Sequence, residues 1–461
     1  MLIPRIKKLL PFSTLLALVI ANVGCSVDDA ALNAPSLKSG AANFSTVVSL
    51  GNSLTAGFAD GALGEAGQKF SYPSLIAKQM GTTFNQPVIK EPGLGLDLQG
   101  NPAGRMQLIS IFPPVVASIP LNGPPQVISP PPYNNFAVPG ANTEDVLTST
   151  NGDIADLILQ SNGTQVRQAK AARPTFIIAW IGDNDVLAAA LLGIAIDGIT
   201  LTPTNDFSRN YTAIIDSLLA TGAKMVVANI PDVTLIPFVT TLKPYVVDLQ
   251  TLEPIKDSQG KNIPLLGTFS DGSTGPLSDD PSAGNFAYIT LVGAGFIARG
   301  MGIPQGVGNG TGQPLPTFGV LDKAEITQIK TRVGELNSII TAATTARGIP
   351  VVDINNLLEQ IHGNGVSAGG VRLTTDYITG GIFSLDAVHP TPVGYGIVAN
   401  AFIQRINEYY GSNIQEVNLA ELLEQGGLAK SFVENIIANP FIIPSDLIKG
   451  MIRTITGRKI F

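Results

Sequence analysis

Four short runs of near-continuous apolar residues, set apart by segments of helical period, constrain this chain more than any other feature. They are Phe44 to Leu50, Thr175 to Ile181, Lys224 to Ile230 and Ile349 to Ile354. Around them, Phe207 to Ala220, Lys323 to Ala346 and Val393 to Tyr410 place apolar residues at three- and four-residue spacing, which predicts amphipathic helices. A strand without polar alternation is buried on both faces. Such strands alternating with helices therefore predict an α/β fold, a parallel sheet covered on both sides. Sheets of this kind carry their sites at the carboxyl ends of the strands.

The 461 residues exceed the usual size of one compact core, and the runs are unevenly spaced. Residues 85–135, with a proline-rich stretch from Phe112 to Pro132, and residues 235–320 show no strand–helix alternation of their own. They read as insertions in a single domain over 43–411. The 49 glycines and 33 prolines fit long, ordered, turn-rich loops. A net charge of −7, more negative once Arg5, Lys7 and Lys8 are removed, repels phosphate backbones and argues against nucleic acid as a partner. Residues 412–461 read as a C-terminal helical extension broken at Gly426-Gly427, Pro440 and Pro444. Its last part, Ser445 to Phe461, sets Lys449, Arg453, Arg458 and Lys459 among apolar positions. That pattern fits either an interfacial helix or one packed on the domain.

The first 25 residues join a charged start to an apolar run from Leu9 to Ile20 and the short stretch Ala21-Asn22-Val23-Gly24 before Cys25. This is the pattern of an export signal. The run is too short for an ordinary spanning helix. Cys25 is the only cysteine, so an internal disulfide is excluded. Its setting resembles the lipobox of bacterial lipoproteins, with Asn22 where leucine is usual. That resemblance implies lipidation of Cys25, residues 26–42 as a tether, and an exported, membrane-anchored protein, on the outer membrane or cell surface. Without lipidation the expectation is secretion.

Three stretches could carry chemistry. Gly51-Asn52-Ser53-Leu54-Thr55 sits where the first strand ends and a helix begins, so a serine hydroxyl there stands at the sheet's carboxyl edge beside helix-start N–H groups. The same pattern also fits a helix cap or a phosphate-binding turn. Gly182-Asp183-Asn184-Asp185 follows the second run onto the same edge and fits a donor to a substrate oxygen, or a capped turn; it lacks the spaced oxygen ligands of a calcium loop. Asp386-Ala387-Val388-His389 puts a carboxylate three residues before a histidine, where it can fix the ring's tautomer. The other histidine, His362, lies in a glycine-rich stretch and reads as a solvated loop residue.

Taken together these stretches resemble the SGNH/GDSL hydrolases, over about Asn43 to Gly411. Gly51-Asn52-Ser53-Leu54 resembles the first motif, Asn135 to Gly140 the second, Gly182-x-Asn184-Asp185 the third and Asp386-x-x-His389 the last. Asn52 stands where the family usually has aspartate. The resemblance implies a three-layer α/β/α sandwich of flavodoxin-like arrangement and a serine hydrolase cleaving carboxylic esters, an esterase or lipase. It implies Ser53 as nucleophile, His389 as base and Asp386 as its partner. Ser53, Gly140 and Asn184 are the implied oxyanion donors.

The expected partners are water and an ester of a lipid or an acylated carbohydrate, with no metal or organic cofactor. Acyl transfer at the same site and a non-catalytic glycan- or lipid-binding lipoprotein are the alternatives. An ordinary α/β-hydrolase is disfavoured because no Gly-x-Ser-x-Gly elbow surrounds Ser53. Phe286 to Gly300, apolar and rich in small residues, lies in the second insertion and is expected to line the acyl pocket or roof the site.

Overall fold

Each of the four apolar runs becomes a strand of one parallel sheet in the computed structural model, which describes residues 36–96, 102–111, 114–149, 153–248 and 253–425. The described residues from Lys38 onward fall in one compact unit. The strands are β1 (Val47–Gly51), β2 (Phe176–Trp180), β3 (Lys224–Ala228) and β4 (Val351–Val352), in the order β1-β2-β3-β4. Val47 pairs with Phe176, Phe176 with Lys224, and Val227 with Val351. All of β1 and β2 is buried, as their unbroken apolar sequence predicts.

Residues 134–138 run parallel along the other side of β1. Ser49 N–H donates to the Asn134 carbonyl, and the Phe136 and Val138 N–H groups donate to Ser49 and Gly51. With that segment counted second in chain order, the spatial order is 2-1-3-4-5, the flavodoxin-like winding. Its topological switch point lies between β1 and β2.

Helices cover both faces. They are α1 (Ser53–Ala56), α2 (Tyr72–Gln79), α3 (Thr143–Thr148), α4 (Gln165–Ala171), α5 (Asn184–Leu192), α6 (Thr204–Leu219), α7 (Lys323–Thr345) and α8 (Pro392–Tyr410), with shorter ones between. Phe176 and Trp180, four apart on one face of β2, meet Tyr410 and Tyr72 edge-on, and Tyr72 stacks on Phe402 at 4.8 Å. This places α2 and α8 on that face. In the other layer α6 packs against α3, α4 and α7, burying Phe207, Tyr211, Ile214, Ile215 and Leu218. α7 starts at a capping box: Asp322 accepts from the N–H groups of Ala324 and Glu325, and Glu325 accepts from Asp322 N–H.

Element ends differ from the sequence pattern where side chains intervene. The run Ile349 to Ile354 yields only Val351–Val352, because the Asp353 side chain accepts from Asn356 N–H and starts the helix Ile354–Asn364. His362 is on the last turn of that helix, not in a loop; it is exposed, with Nδ1 3.0 Å from the Thr375 hydroxyl.

Both insertions carry secondary structure that the sequence reading did not assign. The first contains the hairpin Met106–Ile111 with Pro114–Ser118. The second has its own small core of Val246, Leu265, Leu277, Ile289, Ile303 and Leu315. Phe286 to Gly300, expected to line the acyl pocket or roof the site, is built into the framework. Ala287–Ile289 pairs antiparallel with Val320–Asp322, and the helix Leu291–Ile297 sends Leu291 and Val292 into the main core. The segment thus joins the main core to the small core of the insertion.

The leader, Cys25 and the tail from residue 426 lie outside the described residues. Among the described residues no helix is long and apolar enough to cross a membrane.

Candidate active site

β1 ends at Gly51, where a Cβ would run into the Thr55 hydroxyl and the Trp180 carbonyl, so only glycine permits the turn. Asn52 then caps α1, its Oδ1 accepting from Leu54 N–H at 3.0 Å. Ser53 is the first helical residue and only 3% exposed. Its Oγ lies 2.8 Å from Nε2 of His389, 336 residues away, and His389 Nδ1 lies 2.9 Å from Oδ2 of Asp386.

The short link between the last two residues is made by a strained turn. Ala387 has φ +63°, a left-handed conformation uncommon for a residue with a side chain. The turn aims the N–H groups of Val388 and His389 at Asp386 Oδ1, at 2.9 and 2.8 Å. Gly61 N–H reaches Oδ2 at 2.9 Å. Burial alone would push Asp386 up; the adjacent His389 and these hydrogen bonds outweigh it and hold the carboxyl below its usual range. An ionised Asp386 requires a proton on His389 Nδ1. That tautomer leaves Nε2 as the acceptor facing the Ser53 hydroxyl.

A supporting turn escaped the sequence reading. Asp60 Oδ1 accepts from Leu385 N–H at 3.0 Å, Asp60 N–H donates to the Ser384 hydroxyl at 2.9 Å, and the Tyr377 hydroxyl donates to the Leu385 carbonyl. Together with Gly61, these pin the loop that carries Asp386 and His389. Burial pushes the Asp60 carboxyl up to about 6, the bond from Leu385 opposing it. Asp60-Gly61 carries the sequence signal of a turn. Nothing local ties it to residues 325 positions away.

The other two expected residues stand at the same carboxyl edge. Asn135 holds the second motif against α1, its Nδ2 donating to the Thr55 carbonyl at 2.8 Å. Gly140 follows with φ +82°. Asn184 opens α5, and its Nδ2 donates to the Ala141 carbonyl at 3.0 Å, one residue past Gly140. Asp185 completes the stitch by accepting from the N–H and hydroxyl of Thr143 at 3.0 and 2.8 Å. Burial pushes Asp185 up to about 6, with the Thr202 and Thr143 bonds opposing it. Among the described residues the backbone N–H groups of Ser53 and Gly140 find no protein acceptor. A buried histidine bridging a hydroxyl and a carboxylate, with unused donors beside it, has the parts for acyl transfer. Among the described residues no three His, Cys, Asp or Glu side chains cluster as a metal site.

The sequence model of GDSL-like lipases and acylhydrolases matches residues 47–402, from the first residue of β1 into α8. The chain belongs to the GDSL-like lipase/acylhydrolase family. It is accordingly an ester-hydrolysing enzyme with the SGNH hydrolase fold.

Among solved structures, a lipase/acylhydrolase from Enterococcus faecalis is similar at 13% identity and a TM-score of 0.32, covering 81% of this chain and 100% of that one. An extracellular lipase from Streptomyces rimosus gives 13% and 0.32, covering 79% and 99%. Phospholipase A1 from Streptomyces albidoflavus gives 13% and 0.30, covering 79% and 99%. No curated protein matches the hydrolase in sequence.

Proposed function

We propose that this hydrolase cleaves carboxylic esters through an acyl-enzyme on Ser53, with His389 as general base and Asp386 as its partner. The observation that carries the reading is the buried relay from Ser53 Oγ through His389 to Asp386, with links of 2.8 and 2.9 Å. His389 Nε2 takes the hydroxyl proton as Oγ attacks the ester carbonyl carbon. The carbonyl electron pair moves onto oxygen, where the N–H groups of Ser53 and Gly140 and the second amide hydrogen of Asn184 receive it. The imidazolium, stabilised by Asp386, then gives its proton to the leaving alkoxide as the C–O bond breaks. Water repeats the sequence: His389 takes its proton, the acyl–Oγ bond breaks, the acid leaves and Ser53 regains its hydrogen.

Asn184→Ala tests the oxyanion assignment. The expected result is a fall in kcat of about 10²–10³-fold with KM little changed, the effect of losing one preorganised donor. Because Asn184 also braces Ala141, the melting temperature is measured alongside. An unchanged kcat in a folded variant would leave Asn184 as a turn residue only. Rates across aryl esters, acyl lipids and acetylated sugars assign the acyl class.

We infer from the leader and Cys25 that the enzyme is exported and held at a membrane by a lipid on that cysteine. Cys25→Ala is expected to abolish acyl incorporation and to move the protein from the membrane to the soluble fraction. Retention in the membrane would transfer the anchoring role to the basic, apolar segment from Ser445 to Phe461.

A further inference from the structure

The two residues that immediately precede Ser53 and Asn184 are bonded to each other. Asn52 Nδ2 donates to Asp183 Oδ2 at 2.8 Å across 131 residues of sequence, and the two residues are only 1% and 3% exposed. Asn52 uses both ends of its amide, because Oδ1 also accepts from Leu54 N–H at the start of α1. Asp183 in turn begins α5, its carbonyl accepting from the N–H groups of Val186 and Leu187. Among the described residues Asp183 Oδ1 has no partner, and Asn52 is the stronger of the two side chains, with Trp180, whose hydrogen bonds favour the ionised carboxylate.

We propose that Asp183 is a positioning residue for ester hydrolysis: acting through Asn52, it clamps the turn of the nucleophile to the turn of Asn184. The proposal rests on the catalytic reading above. It also gives the asparagine at position 52 a physical reason. This chain holds the carboxylate of the pair on the third motif, and the amide at 52 caps Leu54 and donates to that carboxylate at once, which an ionised aspartate could not. An aspartate at 52 would set two carboxylates at hydrogen-bond distance, joined only while they share a proton and repelling each other once both ionise at high pH.

Burial already pushes Asp183 up to about 7, and the hydrogen bond from Asn52 is the first influence opposing that rise. Its ionisable neighbours are Asp185, Tyr72 and Tyr211; burial raises both tyrosines, which remain neutral over the working range.

The test compares the full-length parent with Asn52→Asp, Asp183→Asn and the doubly transposed protein, in kcat and KM for a short aryl ester from pH 6 to 9 and in melting temperature. Asn52→Asp is expected to lower kcat most at pH 9, the top of the range, by about 10- to 10²-fold, the scale of a misplaced reacting group, with KM nearly unchanged. Its defect should shrink on acidification, as a shared proton restores the bond. Asp183→Asn keeps an acceptor for Asn52 and should lose little. The transposed protein rebuilds both bonds with donor and acceptor exchanged, and should return to within about threefold of the parent, a non-additivity typical of contacting residues.

A transposed protein that melts like the parent yet is as slow as Asn52→Asp would overturn the proposal. So would parental kcat in Asn52→Asp at every pH, or melting temperatures that couple while kcat does not. If Asn52→Asp alone does not fold, the transposed protein still decides: folded and active supports the clamp, and unfolded or inactive refutes it. Activity surviving in Ser53→Ala would remove the catalytic reading instead, and the melting temperatures would still report the pair.

Discussion

Ser53→Ala is expected to lower kcat by about 10⁶-fold, the loss seen when a nucleophile that acts as one unit with its base is removed. Oγ makes one side-chain hydrogen bond, to His389 Nε2, so the substitution removes the attacking atom and little else. The oxyanion donors remain, and a residual rate about 10³–10⁴-fold above water is expected from them and from binding. Ser53 is buried at a turn rather than packed in the apolar core, and its loss leaves one imidazole nitrogen without a partner. The expected cost in stability is therefore about 1–3 kcal/mol, small beside the kinetic effect. Turnover of an aryl ester, with circular dichroism to confirm folding, gives both numbers; parental turnover would remove Ser53 from the mechanism.

Asp386→Asn is expected to cost about 10⁴-fold in kcat while leaving the shape of the site intact. The reason lies in how the carboxylate is used. Oδ1 accepts from two backbone N–H groups, those of Val388 and His389, which would hold the amide oxygen of an asparagine in that position. The amide nitrogen would then replace Oδ2 and face Gly61 N–H and His389 Nδ1. A donor facing donors drives the proton of His389 to Nε2, where it meets the Ser53 hydroxyl and cannot accept from it. The unpaired Gly61 N–H adds a stability cost of about 1–3 kcal/mol. Measurement of kcat against pH, with a denaturation midpoint, separates the two effects. A variant with parental kcat would show that Asp386 only braces the loop.

The sheet and its site were legible because their signals are local. An apolar run followed by Gly51 or Gly182 marks a buried strand ending in a tight turn, and Asp386 and His389 are three positions apart. Residues 134–138 join the same sheet without being readable as a strand, since Pro139 and the polar pair Asn134-Asn135 break the pattern and long-range bonds to Ser49 and Gly51 hold them. The insertions hid their structure for the same reason: strands such as Ala287–Ile289 are too short to show a period, and their partners lie far along the chain. Composition alone could not show that Phe286 to Gly300 is paired to Val320–Asp322 and packed into the main core, because apolar, small-residue sequence fits a framework segment as well as a pocket wall. Asp60, Gly61 and the Asn52–Asp183 bond are visible only once distant turns are brought together.

The central claim, Ser53 as the nucleophile that carries the acyl group, is tested most directly by labelling it. The enzyme is treated with a fluorophosphonate, which phosphonylates a nucleophilic serine with loss of fluoride, and the labelled peptide is mapped by mass spectrometry. The account predicts one label per chain, carried by Ser53, with loss of activity in proportion to labelling and no labelling of Ser53→Ala. Complete inactivation with the label on another residue, or full turnover in a protein labelled at Ser53, would contradict it.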